Sequence, residues 1–218
     1  MSSTRLPGKV LAEVAGAPMI LRQIVVATSD QPDDDILADC LNAAGVAVFR
    51  GSLDDVLGRF IGAIDAFGPT RTLVRLTADC PLADPEVIDE TLELHTRSGV
   101  DYTSNTPALR HFPKGLDVEV FETVALRVAA AETQAPYDRE HVTPFLYNNP
   151  QRFRIAAYDQ AANEGEVRWT VDRPDDLDFV RAVYEGLYPS NPTFTSDDVR
   201  AFVRGRTDLA CLGGDPRV

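Results

Sequence analysis

Short apolar runs separated by amphipathic stretches are the strongest constraint on what this chain can fold into. Residues 23–28 (QIVVAT) form a continuous apolar run with the composition of a strand buried on both faces. Residues 33–44 then read as a helix: carboxylates crowd its first turn, where the helix dipole favours them, and Gly45 can close it. The alternation continues. Residues 46–49 read as a strand. Residues 54–67 read as a helix with Val56, Phe60, Ile64 and Phe67 on one face, stopped by Gly68 and Pro69. Residues 72–77 form the next strand, and Asp84 with Pro85 marks the N-cap and first turn of a helix that Gly99 ends. Further on, 100–104, 116–121, 153–157 and 167–170 read as strands, and 122–133, 139–147 and 174–187 as helices. Thr195 to Asp198 starts a last short helix with a capping box. This alternation predicts an α/β fold with a mostly parallel sheet flanked by helices. No linker composition divides the chain, so a single domain over residues 1–218 is expected.

Charge narrows the partners. The chain carries 34 acidic and 21 basic residues, a formal net charge of −13. Such a chain is a poor bulk partner for nucleic acid or an anionic membrane, and an anionic ligand would need local cations or a metal to overcome the field. Cys40, Cys80 and Cys211 show no C-x-x-C spacing, so neither a zinc site nor a disulfide framework follows. No apolar run approaches the roughly 20 residues of a membrane span, and the opening residues lack the apolar stretch of a signal peptide. A cytoplasmic protein is expected.

Ligands of open α/β sheets bind beyond the carboxyl ends of the strands. Ser29 and Asp30, Arg50 to Ser52, Asp79, Asn105 and Asp172 fall there, although Asp and Asn after strands also serve as turn formers and caps. Residues 2–10 (SSTRLPGKV) make a polar loop whose hydroxyl residues, among them Ser3, and whose cations Arg5 and Lys9 could hold phosphate, without fitting the Walker A spacing. Lysine is scarce: Lys9 and Lys114 are the only two. Asp79 and Asp172, from different strand ends, could share one Mg²⁺, an ion that takes oxygen ligands and keeps waters and substrate phosphates. His141 is a possible acid or base, and Trp169 is read as core.

The motifs MSSTRLPGKVL (1–11), GAPM (16–19), IVVATSD (24–30), VFRGS (48–52), DDVLGR (54–59), RLTADCPL (75–82), DYTSNT (101–106), GLDVEVF (115–121), REHVTP (139–144) and WTVDRPDDL (169–177) occur in an order that resembles the cytidylyltransferase family of the spore coat polysaccharide biosynthesis protein F type. The chain is more distantly similar to acylneuraminate and 3-deoxy-manno-octulosonate cytidylyltransferases. The resemblance implies a nucleotide-diphosphosugar-transferase fold, GT-A-like and Rossmann-related. It implies an Mg²⁺-dependent reaction of CTP with a sugar or sugar acid, giving a CMP-sugar and pyrophosphate for surface polysaccharide biosynthesis. Arg5 and Lys9 would match the catalytic triphosphate loop with Ser3. Ser29, Asp30, Arg50, Gly51 and Ser52 would lie near the nucleotide, Asp79 and Asp172 would bind the metal, and Asn105, Asp117 and Glu119 would fall near the sugar. Arg110, His111, Lys114 or Arg139 could face a sugar carboxylate. The family's first strand and first helix have no counterpart in this sequence. A homodimer is expected from relatives. The alternatives are a sugar-1-phosphate nucleotidyltransferase using UTP or GTP, and a nucleotide-binding relative without turnover.

Overall fold

The computed structural model of the chain describes residues 13–14, 17–18, 24–106 and 109–218. Among these, the strands are β1 (Glu13–Val14), β2 (Ala17–Pro18), β3 (Val25–Ser29), β4 (Ala47–Gly51), β5 (Thr72–Arg75), β6 (Tyr102–Ser104), β7 (Glu119–Glu122) and β8 (Ile155–Ala157). The helices are α1 (Asp35–Ala43), α2 (Val56–Phe67), α3 (Pro85–Ser98), α4 (Thr123–Glu132), α5 (Pro136–His141), α6 (Pro144–Tyr147), α7 (Pro174–Leu187) and α8 (Ser196–Arg204). β1 and β2 pair antiparallel, β3 and β4 pair in parallel, and a four-stranded sheet has the order β5-β7-β6-β8. The chain is thus α/β, as the alternation predicts. Among the described residues no helix is long and apolar enough to cross a membrane.

The contacts divide the chain into two compact units. One contains Val74–Val120 and Ala156–Val218; the other contains the described part of Ser2–Leu73 with Phe121–Ile155.

In the second unit the parallel pair sets the frame, with Val25 opposite Ala47 and Ser29 opposite Gly51. The crossover runs through a 3-10 turn at Pro32–Asp34 and α1. Asp55 caps α2 by accepting the Gly58 N–H at 2.8 Å. The approach of α2 to β4 is close: a Cβ added at Gly62 would lie 2.3 Å from the Phe49 ring. Helices α2, α4, α5 and α6 pack together and bury Leu57, Ile64, Leu126, Ala129 and Leu146. The single helix expected over 139–147 is instead two, α5 and α6. Val142, at φ 75°, breaks the helix, and Pro144 has no N–H with which to continue it.

The first unit has a continuous core of Leu82, Val87, Phe112, Leu116, Val118, Val167, Trp169, Phe179, Val183, Val199 and Val203. Burial of each of these large side chains stabilises by roughly 1.5–3 kcal/mol. Asp84 starts two helices with one carboxylate. Its Oδ1 accepts the Glu86 N–H at 2.8 Å in α3, and its Oδ2 accepts the Ser196 N–H at 2.7 Å in α8. Gly99 closes α3 in the left-handed region at φ 60°, as expected. The strand expected over 116–121 is only half realised, because its first half is tied by a side chain. The Asn105 amide donates to the Leu116 carbonyl and accepts the Val118 N–H, each at 2.7 Å. The strand expected over 167–170 is a single parallel bridge between Lys114 and Arg168. Gly115, at φ 111°, lets this bridge close, since a Cβ there would meet the Trp169 backbone at 2.8 Å.

Candidate functional site

The first unit joins the two acids read as metal ligands through their loops. The Val171 N–H donates to the Asp79 carbonyl at 2.8 Å, so Asp79 and Asp172 sit on adjoining backbone segments. Asp79 follows β5 and is exposed, with the Cys80 thiol 3.6 Å from its Oδ1. Asp172 precedes α7 and is also exposed; its Oδ2 accepts from the Arg168 guanidinium and, at 3.3 Å, from the Thr170 hydroxyl. No group of three or more His, Cys, Asp or Glu side chains among the described residues forms a metal cage. Two exposed carboxylates on adjoining loops fit an ion that takes its remaining oxygens from phosphates and water.

Asp117, read as a sugar contact, belongs to the same neighbourhood. Burial pushes the Cys80 thiol up to about 12, and the negative charges of Asp79 and Asp117 add to that effect. Asp117 is held by Arg110 in a two-pronged pair whose Nη2–Oδ2 distance is 2.8 Å. That pair holds the Arg110 guanidinium above its usual range. The other two expected sugar contacts are engaged by the protein. Asn105 is fully buried with its amide on the 116–118 backbone, and Glu119 takes the Tyr102 hydroxyl at 2.7 Å and pairs with Arg75.

The four cations considered for a sugar carboxylate differ in availability. Arg110 is bound to Asp117, and His111 lies 2.7 Å from Asp159. Arg139, in the second unit, pairs with Asp55 and donates to the Ala130 carbonyl. Among the described residues the Lys114 ammonium pairs only with Glu166, 4.0 Å away, whose side chain is almost wholly exposed.

In the second unit the expected nucleotide contacts gather at the ends of β3 and β4. The Asp30 N–H donates to the Gly51 carbonyl at 2.8 Å, and Asp30 keeps an exposed carboxylate. Arg50 holds the β3–α1 turn, donating to the carbonyls of Ser29 at 2.9 Å and Gln31 at 2.8 Å and pairing with Asp35 at 2.6 Å. The Ser52 hydroxyl accepts the Asp55 N–H at 3.1 Å. Ser29 is buried, and its hydroxyl donates to Asp34 at 2.6 Å. Hydrogen bonds from Ser29 and Thr28 hold the Asp34 carboxyl down at about 2. Ser3, Arg5 and Lys9 lie outside the described residues. His141 is exposed against the Tyr137 ring, and Trp169 is fully buried as expected.

Sequence reasoning missed three kinds of residue. Asp34, in an acidic run read as helix start, organises the β3 turn. Arg59, in the DDVLGR motif, has its Nε buried without a hydrogen-bond partner among the described residues. Burial holds its guanidinium below the usual range, against the attraction of Asp34 and Asp30. Asp176, in the PDD segment that opens α7, is completely buried and accepts the N–H groups of Asp172 at 3.1 Å and Arg173 at 2.9 Å. Burial opposes its charge, yet hydrogen bonds from Arg168, Arg173 and Arg217 hold its carboxyl far below the ordinary range. The signal for Asp176 was its position at N3 of a helix opened by Pro174, where a carboxylate closes a capping box.

The chain is 35% identical over 208 residues to the spore coat polysaccharide biosynthesis protein SpsF of Bacillus subtilis, covering 85% of this chain and 83% of that protein. It is 27% identical over 210 residues to the 3-deoxy-manno-octulosonate cytidylyltransferase of Rhizobium leguminosarum, covering 86% of this chain and 81% of that one. The fold superposes on a cytidylyltransferase structure from Leptospira borgpetersenii with a TM-score of 0.78 at 26% identity, covering 95% of this chain and 91% of that one. Residues 1–194 match the sequence signature described as Cytidylyltransferase, and the chain belongs to that family.

Proposed function

We propose that the protein is an Mg²⁺-dependent transferase that joins the cytidylyl group of CTP to a sugar acid in surface polysaccharide biosynthesis. The observation that carries this reading is the pairing of the Asp79 and Asp172 loops in a chain of this family. The similarity to a 3-deoxy-manno-octulosonate cytidylyltransferase supports a sugar acid. So does Lys114, the least engaged of the four cations considered for a carboxylate.

In the reaction a sugar hydroxyl attacks the α-phosphorus of CTP. The new O–P bond forms as the bond to the bridging oxygen breaks, pyrophosphate leaves with the electron pair, and the hydroxyl proton passes to solvent. Asp79 and Asp172 would hold Mg²⁺, which when bound neutralises charge on the phosphate oxygens. Arg5 and Lys9, with Ser3, would hold the leaving pyrophosphate. Asp30, Arg50, Gly51 and Ser52 would line the nucleoside side, with Ser29 holding the turn. Asn105 and Glu119 would shape the sugar side from behind Asp117. Positioning of the hydroxyl against the α-phosphate supplies much of the rate.

The test is pyrophosphate release with CTP, UTP, GTP and ATP in turn, over a panel of sugar acids, neutral sugars and sugar-1-phosphates. Release with CTP, Mg²⁺ and a sugar acid is expected, and Asp172→Asn should reduce it by at least about a hundredfold with an unchanged circular dichroism spectrum. Release with UTP or GTP and a sugar-1-phosphate would overturn the substrate reading. Full activity of the Asp172→Asn variant would remove the metal assignment.

A further inference from the structure

Asp172 is held from behind by a segment past the family's matched region, which ends at residue 194. Residues 209–217 follow α8 and fold back on the stretch that leads into Asp172. The Arg168 N–H donates to the Pro216 carbonyl at 3.0 Å, and the Trp169 indole N–H donates to the Arg217 carbonyl at 2.9 Å. The Arg217 side chain is wholly buried, stacked 4.9 Å over the Phe179 ring. Each part of its guanidinium has a partner. Nε donates to the Leu212 carbonyl at 3.0 Å, Nη1 to the Arg168 carbonyl at 2.7 Å, and Nη2 to the Asp176 carboxylate at 2.7 Å. Asp176 in turn fixes the backbone N–H groups of Asp172 and Arg173.

The same segment supplies a carboxylate. Asp215 lies 3.7 Å from Arg168 and pairs with Arg173. Arg168 is the cation now on Asp172, and it also reaches Asp176 at 3.1 Å. A cation arriving at Asp172 competes with that guanidinium. Asp176 and Asp215 leave Arg168 two further carboxylates, so it can release Asp172 without losing its counter-charge.

We propose that residues 209–217 form a positioning strap for the metal ligand Asp172. Arg217, through Asp176, sets the backbone of the Asp172 loop, and Asp215 takes up Arg168 when a divalent cation occupies Asp172. The inference rests on the reading of Asp172 as a metal ligand. Arg217 and Asp215 are positioning residues that touch neither metal nor substrate, and loss of such outer partners costs about 10–100-fold in metal affinity.

The experiment measures Mn²⁺ affinity of the nucleotide-free protein, by electron paramagnetic resonance of free Mn²⁺. Wild type is compared with Arg217→Ala, Arg217→Lys, Asp215→Asn and Asp172→Asn; CTP affinity in EDTA and the melting temperature are recorded for each. Arg217→Ala should weaken Mn²⁺ about tenfold or more with CTP affinity in EDTA unchanged, and millimolar guanidinium should restore part of the loss. Arg217→Lys should fall between, because an ammonium cannot reach all three partners. Asp215→Asn, at a partly exposed position outside the core, should weaken Mn²⁺ a few-fold and covers the case in which the Arg217 variants do not fold. Mn²⁺ affinity within twofold of wild type in Asp215→Asn and in every folded Arg217 variant, while Asp172→Asn loses it, overturns the strap and leaves the metal site standing. Equal Mn²⁺ affinity in wild type and Asp172→Asn overturns the metal site and the strap with it.

Discussion

Cys80 shows how one buried residue reports on the charges around it. Its thiol lies beside the Asp79 carboxylate, and burial together with Asp79 and Asp117 pushes it up to about 12. The folded value lies above the unfolded one, so the neutral thiol contributes stability that is present below about 9 and is lost as the pH rises toward 12. At pH 8 a disulfide reagent should therefore titrate two thiols of the native protein quickly, the exposed Cys40 and Cys211, and the third only on unfolding. Three fast thiols would contradict the buried placement. Asp79 and Asp172 were legible as a pair because each follows an apolar run and precedes a proline segment. Asp176 and Arg217 were not, because a buried carboxylate and its guanidinium 41 positions away leave no mark on local pattern. Asn105 was legible as a residue at a strand end; its role as a surrogate for strand hydrogen bonds depends on a partner segment that spacing alone does not bring to it.

Elements with strong punctuation were the most legible. Pro174–Leu187 begins at its proline and ends where expected, and α3 begins at Pro85 and ends before Gly99. Elements decided by packing were not. Residues 167–170 have strand composition, but Lys114 on one side, with two backbone hydrogen bonds, and Pro216 on the other, with one, give an isolated bridge in place of a strand. The contact of α2 with β4 is a packing decision that can be tested directly. Gly62→Ala would drive a methyl into the Phe49 ring, at 2.3 Å before relaxation, and should destabilise by about 1–3 kcal/mol in urea denaturation. Phe49→Leu added to Gly62→Ala should recover part of that loss, a non-additive pair that identifies the contact as the cause. Additive losses would place the cause elsewhere.

At the scale of the whole molecule, the net charge of −13 sets the terms on which a nucleotide triphosphate arrives. The field opposes approach of the free anion, and salt screens that opposition over a Debye length of about 10 Å at 0.1 M. The association rate of CTP in EDTA should therefore rise between about 20 and 200 mM NaCl, whereas the rate with excess Mg²⁺ should change little. Stopped-flow binding at the two salt concentrations decides it, and a falling rate would mean that the local cations outweigh the global charge. The α/β class was legible in the alternation of runs, while the division into two compact units was not, since no composition change marks it. The shared cap at Asp84 has a consequence for how the first unit assembles. Its carboxylate, at the start of α3, accepts the N–H of Ser196 at the start of α8, 112 positions further along the chain. Closing a loop of that length costs entropy before the contact returns any stability. The Ser196 N–H therefore cannot gain this partner until the intervening chain has come home, although Thr195 and Asp198 cap α8 locally. Refolding of this unit is expected to be late and cooperative there, with Asp84→Ala speeding unfolding more than it slows folding.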